Sequence, residues 1–208
     1  MIARLFWTIV LLLLVNTATP ETGSEEPVSL VKDKAGRIYT NVSENMEAYE
    51  ADHEALKAMV REDLLPLVDT YYAARLILGR AGRGLAKEKV DRFASLMSQQ
   101  LVNRYSTGLL QYSSDVKLQV LPQRGALNEK ATRVRTRVTL PNGTVTPVDY
   151  AFRKTADGWK AFDVIVEGVS YVTTFRNQIM PEVESNGIDS VIERLSRGEL
   201  ELDGREDD

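Results

Sequence analysis

The chain has no cysteine and one histidine among its 208 residues. The missing cysteines exclude disulfides, thiol catalysis, cysteine-ligated metals and a lipidated N-terminal Cys. A cysteine-free chain also suits an oxidising compartment, because nothing in it can mispair there. His53 lies on a polar stretch between Asp52 and Glu54 and reads as a solvated side chain. No Gly-x-Ser-x-Gly, phosphate-cradling loop or metal-ligand spacing occurs, so catalytic and cofactor chemistry have little to stand on. An excess of positive charge is missing too. The formal net charge is −4, which gives no reason to expect nucleic acid as a partner.

Long apolar runs are confined to the N-terminus. Arg4 precedes an apolar stretch from Leu5 to Val15, interrupted by Thr8, and then Asn16, Thr17, Ala18, Thr19 and Pro20 follow. As a helix that stretch spans roughly 16 Å, about half of a bilayer core. A secretory signal over residues 1–19, cut near Ala18, is therefore the expectation, and with it export across the inner membrane. Residues 20–198 then form one domain, at 43% hydrophobic and 27% charged residues in the whole chain an ordinary core-forming composition. The end carries Glu199, Glu201, Asp203, Glu206, Asp207 and Asp208 against Arg205, and residues 199–208 read as an acidic disordered tail.

The first half is helical in pattern. Val28, Val31, Ile38 and Val42 fit a first helix, and Asp52 to Leu65 a second that Pro66 breaks. Leu67 to Gly79 is apolar nearly all round, which predicts burial on most sides. Gly79, Gly82 and Gly84 make a turn. The longest helix is predicted over Lys87–Tyr112, with Val90, Phe93, Met97, Leu101, Tyr105, Leu109 and Tyr112 as one stripe.

After Ser114 the period drops from 3.6 to 2. Val116, Leu118 and Val120 alternate with polar residues, as do Val134, Thr136, Val138 and Leu140 with Arg133, Arg135 and Arg137. Asn142-Gly143 marks a hairpin, and Val148, Tyr150 and Phe152 return along one face. The strand Trp159–Glu167 is apolar on both faces in its middle, which predicts the central or best-covered position. A helix over Val172–Ser185 follows, with Pro181 inside it where a proline kinks or breaks a helix, and a last one after Asn186-Gly187 carries Ile188, Val191, Ile192 and Leu195. The predicted class is α+β: a four-stranded, mainly antiparallel twisted sheet with one face covered by helices.

Periodicity leaves the apolar side open between a plain core and a cavity that would take a small apolar ligand. The other sheet face is basic (Lys117, Arg133, Arg135, Arg137, Arg153 and Lys160 against Asp115 and Asp149) and fits a solvated face with cross-strand pairs. A docking surface for an acidic partner or anionic headgroup is the alternative.

Several segments then resemble a known family in order and spacing: Asp63-Leu-Leu-Pro-Leu-Val-Asp69, Leu76-Ile-Leu-Gly79-Arg80, Arg92-Phe93, Phe162-Asp163-Val-Ile-Val-Glu167-Gly168-Val169-Ser170 and Gly187-Ile188-Asp189. They resemble the MlaC family of periplasmic phospholipid-binding proteins, also called the toluene-tolerance auxiliary family, from about Val28 to Leu195. Where members often have an aromatic residue and Ala-Thr-Pro after the Leu-Gly turn, this chain reads Ala81-Gly82-Arg83-Gly84-Leu85-Ala86. The resemblance implies a fold similar to cone-shaped nuclear-transport-factor-like folds. It implies a phospholipid as bound cargo and no other cofactor. It implies partners in an inner-membrane Mla ABC transporter complex and an outer-membrane lipoprotein–porin complex, with the carrier itself a periplasmic monomer.

Under that resemblance the cavity walls are expected at Val134, Val138, Val148, Tyr150, Phe152, Phe162 and Val164 from the sheet. Tyr71, Leu76, Phe93, Met97, Leu101 and Tyr105 are expected from the helices. The turn from Gly168 through Val169 and Ser170 to Tyr171 is expected at the mouth, where Gly168 permits unusual backbone angles. The competing reading is a cone-fold enzyme, an isomerase or hydrolase using Asp163 or Asp149. It predicts a carboxylate aimed into the cavity instead of one capping nearby backbone.

Overall fold

The computed structural model describes residues 26–111 and 116–202. The expected signal segment, Tyr112, Asp115 and the last six residues lie outside the described residues. Helix α1 (Pro27–Glu44) starts on Pro27, where the missing N–H would have no helical partner in any case. The short α2 (Met46–Ala51), which the sequence pattern did not reveal, follows at once. Asp52 accepts from the backbone N–H groups of Glu54 and Ala55 and so starts α3 (His53–Met59). The chain then widens into a π-helical turn, Val60–Leu64, and tightens into a 3₁₀ turn, Leu65–Leu67, around Pro66.

Helix α4 (Thr70–Leu78) begins at Asp69, whose carboxylate accepts from Tyr72 N–H at 2.9 Å, and α5 covers Lys87–Tyr105. The expected single helix to Tyr112 ends at Tyr105, and α6 (Gly108–Gln111) is separate. The last helix, α7 (Tyr171–Arg197), contains Pro181 and has its one non-helical residue at Gly187, with φ 76°. The break foreseen at Asn186-Gly187 is thus a kink between two helical halves.

The sheet has five strands rather than four, in the order β1 (Lys117–Val120), β2 (Thr132–Thr139), β3 (Val145–Thr155), β4 (Gly158–Val166) and β5 (Val169–Ser170). All neighbours are antiparallel. The extra strand is two residues long and leaves β4 through a hairpin with positive φ at both Glu167 and Gly168. Two residues cannot show a period, so β5 was not readable from the pattern. β4, expected to be central or best covered, is next to the edge strand with β3 in the middle, but it has no exposed residue, whereas β1, β2 and β3 each do.

The register explains why β4 reads as apolar on both faces. Ala151 faces Asp163 while Phe152 faces Ala161, so Phe162 is an extra residue in a bulge. Trp159 and Ala161 before it, and Val164 and Val166 after it, therefore share one face with Val134, Tyr150 and Phe152. That shift of parity produces the run that looked apolar on both sides. It also leaves Ile165 on the basic face, where it is nevertheless buried.

Three packed groups hold the domain. One joins α4, α5 and α7 through Phe93, Ile77, Leu78, Ile179 and Val191. A second places Leu30 and Val31 of α1 on Val134, Phe152 and Trp159 of the sheet. A third ties Val42 and Leu56 to Val102. Arg176 of α7 donates from Nε to the Leu76 carbonyl at 2.7 Å, and so satisfies the end of α4 and locks the two helices together. Residues 199–202, the first part of the expected tail, are packed on the domain. Leu202 is buried in the first group, Gln100 donates to the Leu200 carbonyl at 2.8 Å, and Glu201 pairs with Arg104. Two leucines among the acidic residues anchor the segment, a signal that charge counting passes over. No helix among the described residues is long and apolar enough to cross a membrane.

Candidate functional site

The free edge of β4 is covered twice and left open between. At one end Val68 forms a parallel bridge to Ala161, fixed by Asp69 N–H donating to the Ala161 carbonyl at 2.7 Å. At the other end β5 pairs with Ile165 and Val166. No described strand pairs with Phe162–Val164 on this side. Neither neighbour can extend, because each turns at once into a helix. Asp69 starts α4, and Ser170 starts α7 by accepting from Thr173 N–H at 3.1 Å. Only side chains are left to fill the space between the gap and the helices.

They do not fill it. A cavity of about 450 Å³ lies there. Its floor is Ala161–Val164 and Val166 of β4; α4 contributes Thr70, Ala73 and Ile77, and α7 contributes Tyr171, Val172 and Phe175. Val60, Leu64, Leu65 and Val68 come from the π and 3₁₀ turns and the link to α4. The longest wall is α5, with Ala94, Met97, Ser98, Leu101, Val102, Tyr105 and Ser106 at the i, i+3, i+4 spacing that puts residues on one helix face, and Leu109 of α6 continues it. Leu64 and Tyr105 are 38% and 39% exposed, two of the three large hydrophobic residues so exposed among those described. Both line the cavity, so its mouth is between the π turn and the C-terminal end of α5.

Of the expected wall residues, Met97, Leu101, Tyr105, Phe162 and Val164 line this cavity. The others stand elsewhere. Phe93 is fully buried in the helical core, with Tyr71 and Leu76 packed at its border. Val134, Phe152 and Tyr150 belong to the group under α1. Val138 and Val148 are half-buried on the same sheet face as Val134, and Val169 sits in β5, none of them on the cavity. Strand parity puts the expected sheet residues on one face, and α1 occupies the middle of that face. The cavity lies off the β4 edge, where the α5 stripe passes beyond its core half at Val90 and Phe93. The missed contributors Val60, Leu64, Leu65 and Val68 follow no regular period, since π and 3₁₀ turns interrupt it.

Ion pairs brace the rim of the helical layer. Asp69 pairs with Arg153 at 2.5 Å, and that guanidinium lies over the Tyr72 ring at 4.4 Å. Tyr72 in turn meets Phe162 edge-on at 5.2 Å, which fixes the bulge residue against α4. Elsewhere on the basic face Arg133 reaches Asp149 at 3.6 Å and Arg135 donates to the Pro122 carbonyl at 2.8 Å.

The carboxylates named for an enzymatic reading are engaged. Asp163 accepts from Ser170 Oγ at 2.6 Å and from Val172 N–H at 3.0 Å, so its two oxygens hold the start of α7. The pKa of the Tyr150 hydroxyl is pushed up to about 12, chiefly by burial and further by Tyr39. No group of three or more potential metal-ligating side chains occurs among the described residues.

The family model described as MlaC protein matches residues 32–197. The chain belongs to the MlaC family. This MlaC-family chain is 24% identical over 189 residues to the intermembrane phospholipid transport system binding protein MlaC of Haemophilus influenzae, a match covering 89% of this chain and 86% of that protein. It is 26% identical over 167 residues to the toluene tolerance protein ttg2D of Pseudomonas putida, covering 80% and 77%. Among solved structures, the phospholipid-binding protein of Ralstonia solanacearum, determined in complex with a phospholipid, matches with a TM-score of 0.73 at 19% identity. That match covers 80% of this chain and 93% of the other, and places both in one fold.

Proposed function

We propose that this chain is a periplasmic phospholipid carrier that takes acyl chain into the cavity off the β4 edge. The observation that carries the reading is an open 450 Å³ space walled almost wholly by apolar side chains in a family of phospholipid-binding relatives. A methylene buried from water contributes about 0.8 kcal/mol. An acyl chain therefore cannot cross water unescorted, and a cavity as apolar as the bilayer makes its transfer nearly level in free energy. Such a task needs apolar walls, a mouth and docking surfaces, and no acid–base residue.

The wider reading follows the family. Residues 1–19 direct export, and the carrier moves lipid between an inner-membrane Mla ABC transporter complex and an outer-membrane lipoprotein–porin complex, acting as a monomer. The sheet with its helical layer would then be a variant of the nuclear-transport-factor-like cone. Asp163 and Asp149 serve as structural groups. Protein purified gently from its own periplasm and examined by native mass spectrometry is expected to carry a phospholipid adduct. Lipid-free protein from such a preparation would overturn the reading.

A further inference from the structure

We propose that the polar groove between β2 and the connection from β1 is a binding site for inorganic phosphate, taken as the hydrogen phosphate ion. The groove, of about 280 Å³, is lined by Gln123 and Arg124 of the connection and by Arg133 and Arg135 of β2. Leu121 N–H donates to the Arg135 carbonyl at 2.9 Å, which holds the connection alongside β2. Arg133 and Arg135 alternate with Val134, buried under α1 on the other face, so both project from the basic side of the sheet. No residue of this groove lines the cavity off the β4 edge, and the inference is independent of the carrier reading.

The groove's arginines keep most of their charge. Arg135 donates from Nη2 to the Pro122 carbonyl at 2.8 Å. That bond orients the guanidinium toward the connection but neutralises none of its charge, because a carbonyl has no charge to offer. Arg153 and Arg197, by contrast, each face a carboxylate, Asp69 and Glu193. Arg133 reaches Asp149 only at 3.6 Å, too long for a hydrogen bond. Arg124 is exposed and has no ion pair among the described residues. Set against Asp149, the three guanidiniums leave two positive charges, which a hydrogen phosphate dianion would balance. Each planar guanidinium can meet two phosphate oxygens with parallel hydrogen bonds.

Gln123 supplies selectivity among tetrahedral anions. Its Nε2 donates to the Arg124 carbonyl at 3.3 Å. Its Oε1 is buried and has no hydrogen-bond partner among the described residues. Reversing the amide would set two acceptor oxygens against each other, so the orphan is an acceptor in need of a donor. With only one long bond to hold it, the side chain can turn Oε1 toward a donor lying in the groove. Hydrogen phosphate has a P–O–H group beside its charged oxygens, so one ion serves the arginines and Gln123 together. Sulfate has a similar shape and charge but no proton to donate. A phosphate monoester, whose second pKa is about 6, has none at about pH 8 either.

Isothermal titration calorimetry of the full chain at about pH 8, in a low-salt chloride buffer, compares inorganic phosphate, sulfate and methyl phosphate. Wild-type protein is expected to bind a single inorganic phosphate, and to bind sulfate and methyl phosphate about threefold to tenfold more weakly, the scale of one hydrogen bond. Gln123→Met should bring the affinities for all these anions together. Arg135→Gln should weaken phosphate binding about tenfold or more, the scale of a charged hydrogen bond. Arg124→Gln, on the exposed connection where the fold is not at stake, should weaken it about threefold to tenfold. Arg137→Gln, exposed on the same face but outside the groove, should leave it unchanged. Wild-type protein without saturable phosphate binding, equal affinity for phosphate and either rival anion, or full binding by Arg135→Gln or Arg124→Gln would overturn the site. So would a loss in Arg137→Gln as large as theirs, which would mark diffuse attraction to the whole face. The carrier reading stands or falls separately, on bound lipid.

Discussion

The cavity's size sets a limit on acyl chain length that can be measured. A methylene takes about as much room as a liquid water, about 30 Å³. A volume of 450 Å³ therefore holds on the order of 15 methylenes, one ordinary acyl chain. Each methylene taken from water is worth about 0.8 kcal/mol, or roughly a fourfold gain in affinity. Across single-chain lysophospholipids of 8 to 14 carbons the dissociation constant should fall by roughly three to four thousandfold. The gain should then level off near 15 carbons, because further methylenes find no wall. Displacement of a fluorescent acyl probe, at concentrations below micelle formation, measures the series. Val164→Phe, which fills part of the floor, should move the break about two carbons shorter and leave the slope below it unchanged. A flat series below 14 carbons, or a slope that persists undiminished well beyond 18, would refute the reasoning.

Asp163→Ala removes the two bonds by which Asp163 holds Ser170 and Val172 at the start of α7 and should cost about 1–2 kcal/mol of stability, read as a lower urea midpoint with an unchanged m-value. An unaltered midpoint would show that the cap contributes nothing. Tyr150 gives a signature at high pH. Its native pKa, about 12, lies above the unfolded value of 10.0, so between these values the unfolded chain releases a proton that the folded chain keeps. The stability from this group is complete below pH 10 and is lost as pH rises toward 12, with a slope of at most about 1.4 kcal/mol per pH unit. Tyr150→Phe should flatten that part of a pH–stability profile recorded by urea denaturation, and an unchanged slope would count against the burial.

Local pattern by itself determined the α+β class, the hairpin at Asn142-Gly143, the break at Gly187 and the sheet's apolar face. Each of these depends on interactions a few residues apart: side-chain alternation, the backbone freedom of glycine, the spacing of a helical stripe. The family resemblance, carried by short ordered motifs, added the expectation of a lipid cavity. Where the fold leaves a cavity is decided only by tertiary structure. The stripe from Val90 to Leu109 reads as one surface, yet its first half packs against α4 and α7 while its second half faces empty space. The difference arises at the β4 edge, where Val68 and β5 stop short of each other because Asp69 and Ser170 begin helices. The bulge at Phe162 then shifts the parity on which a wall assignment from β4 depends. Alternation says which way a side chain points relative to its own strand. It does not say whether a helix such as α1 already covers that place, and for Val134 and Phe152 it does.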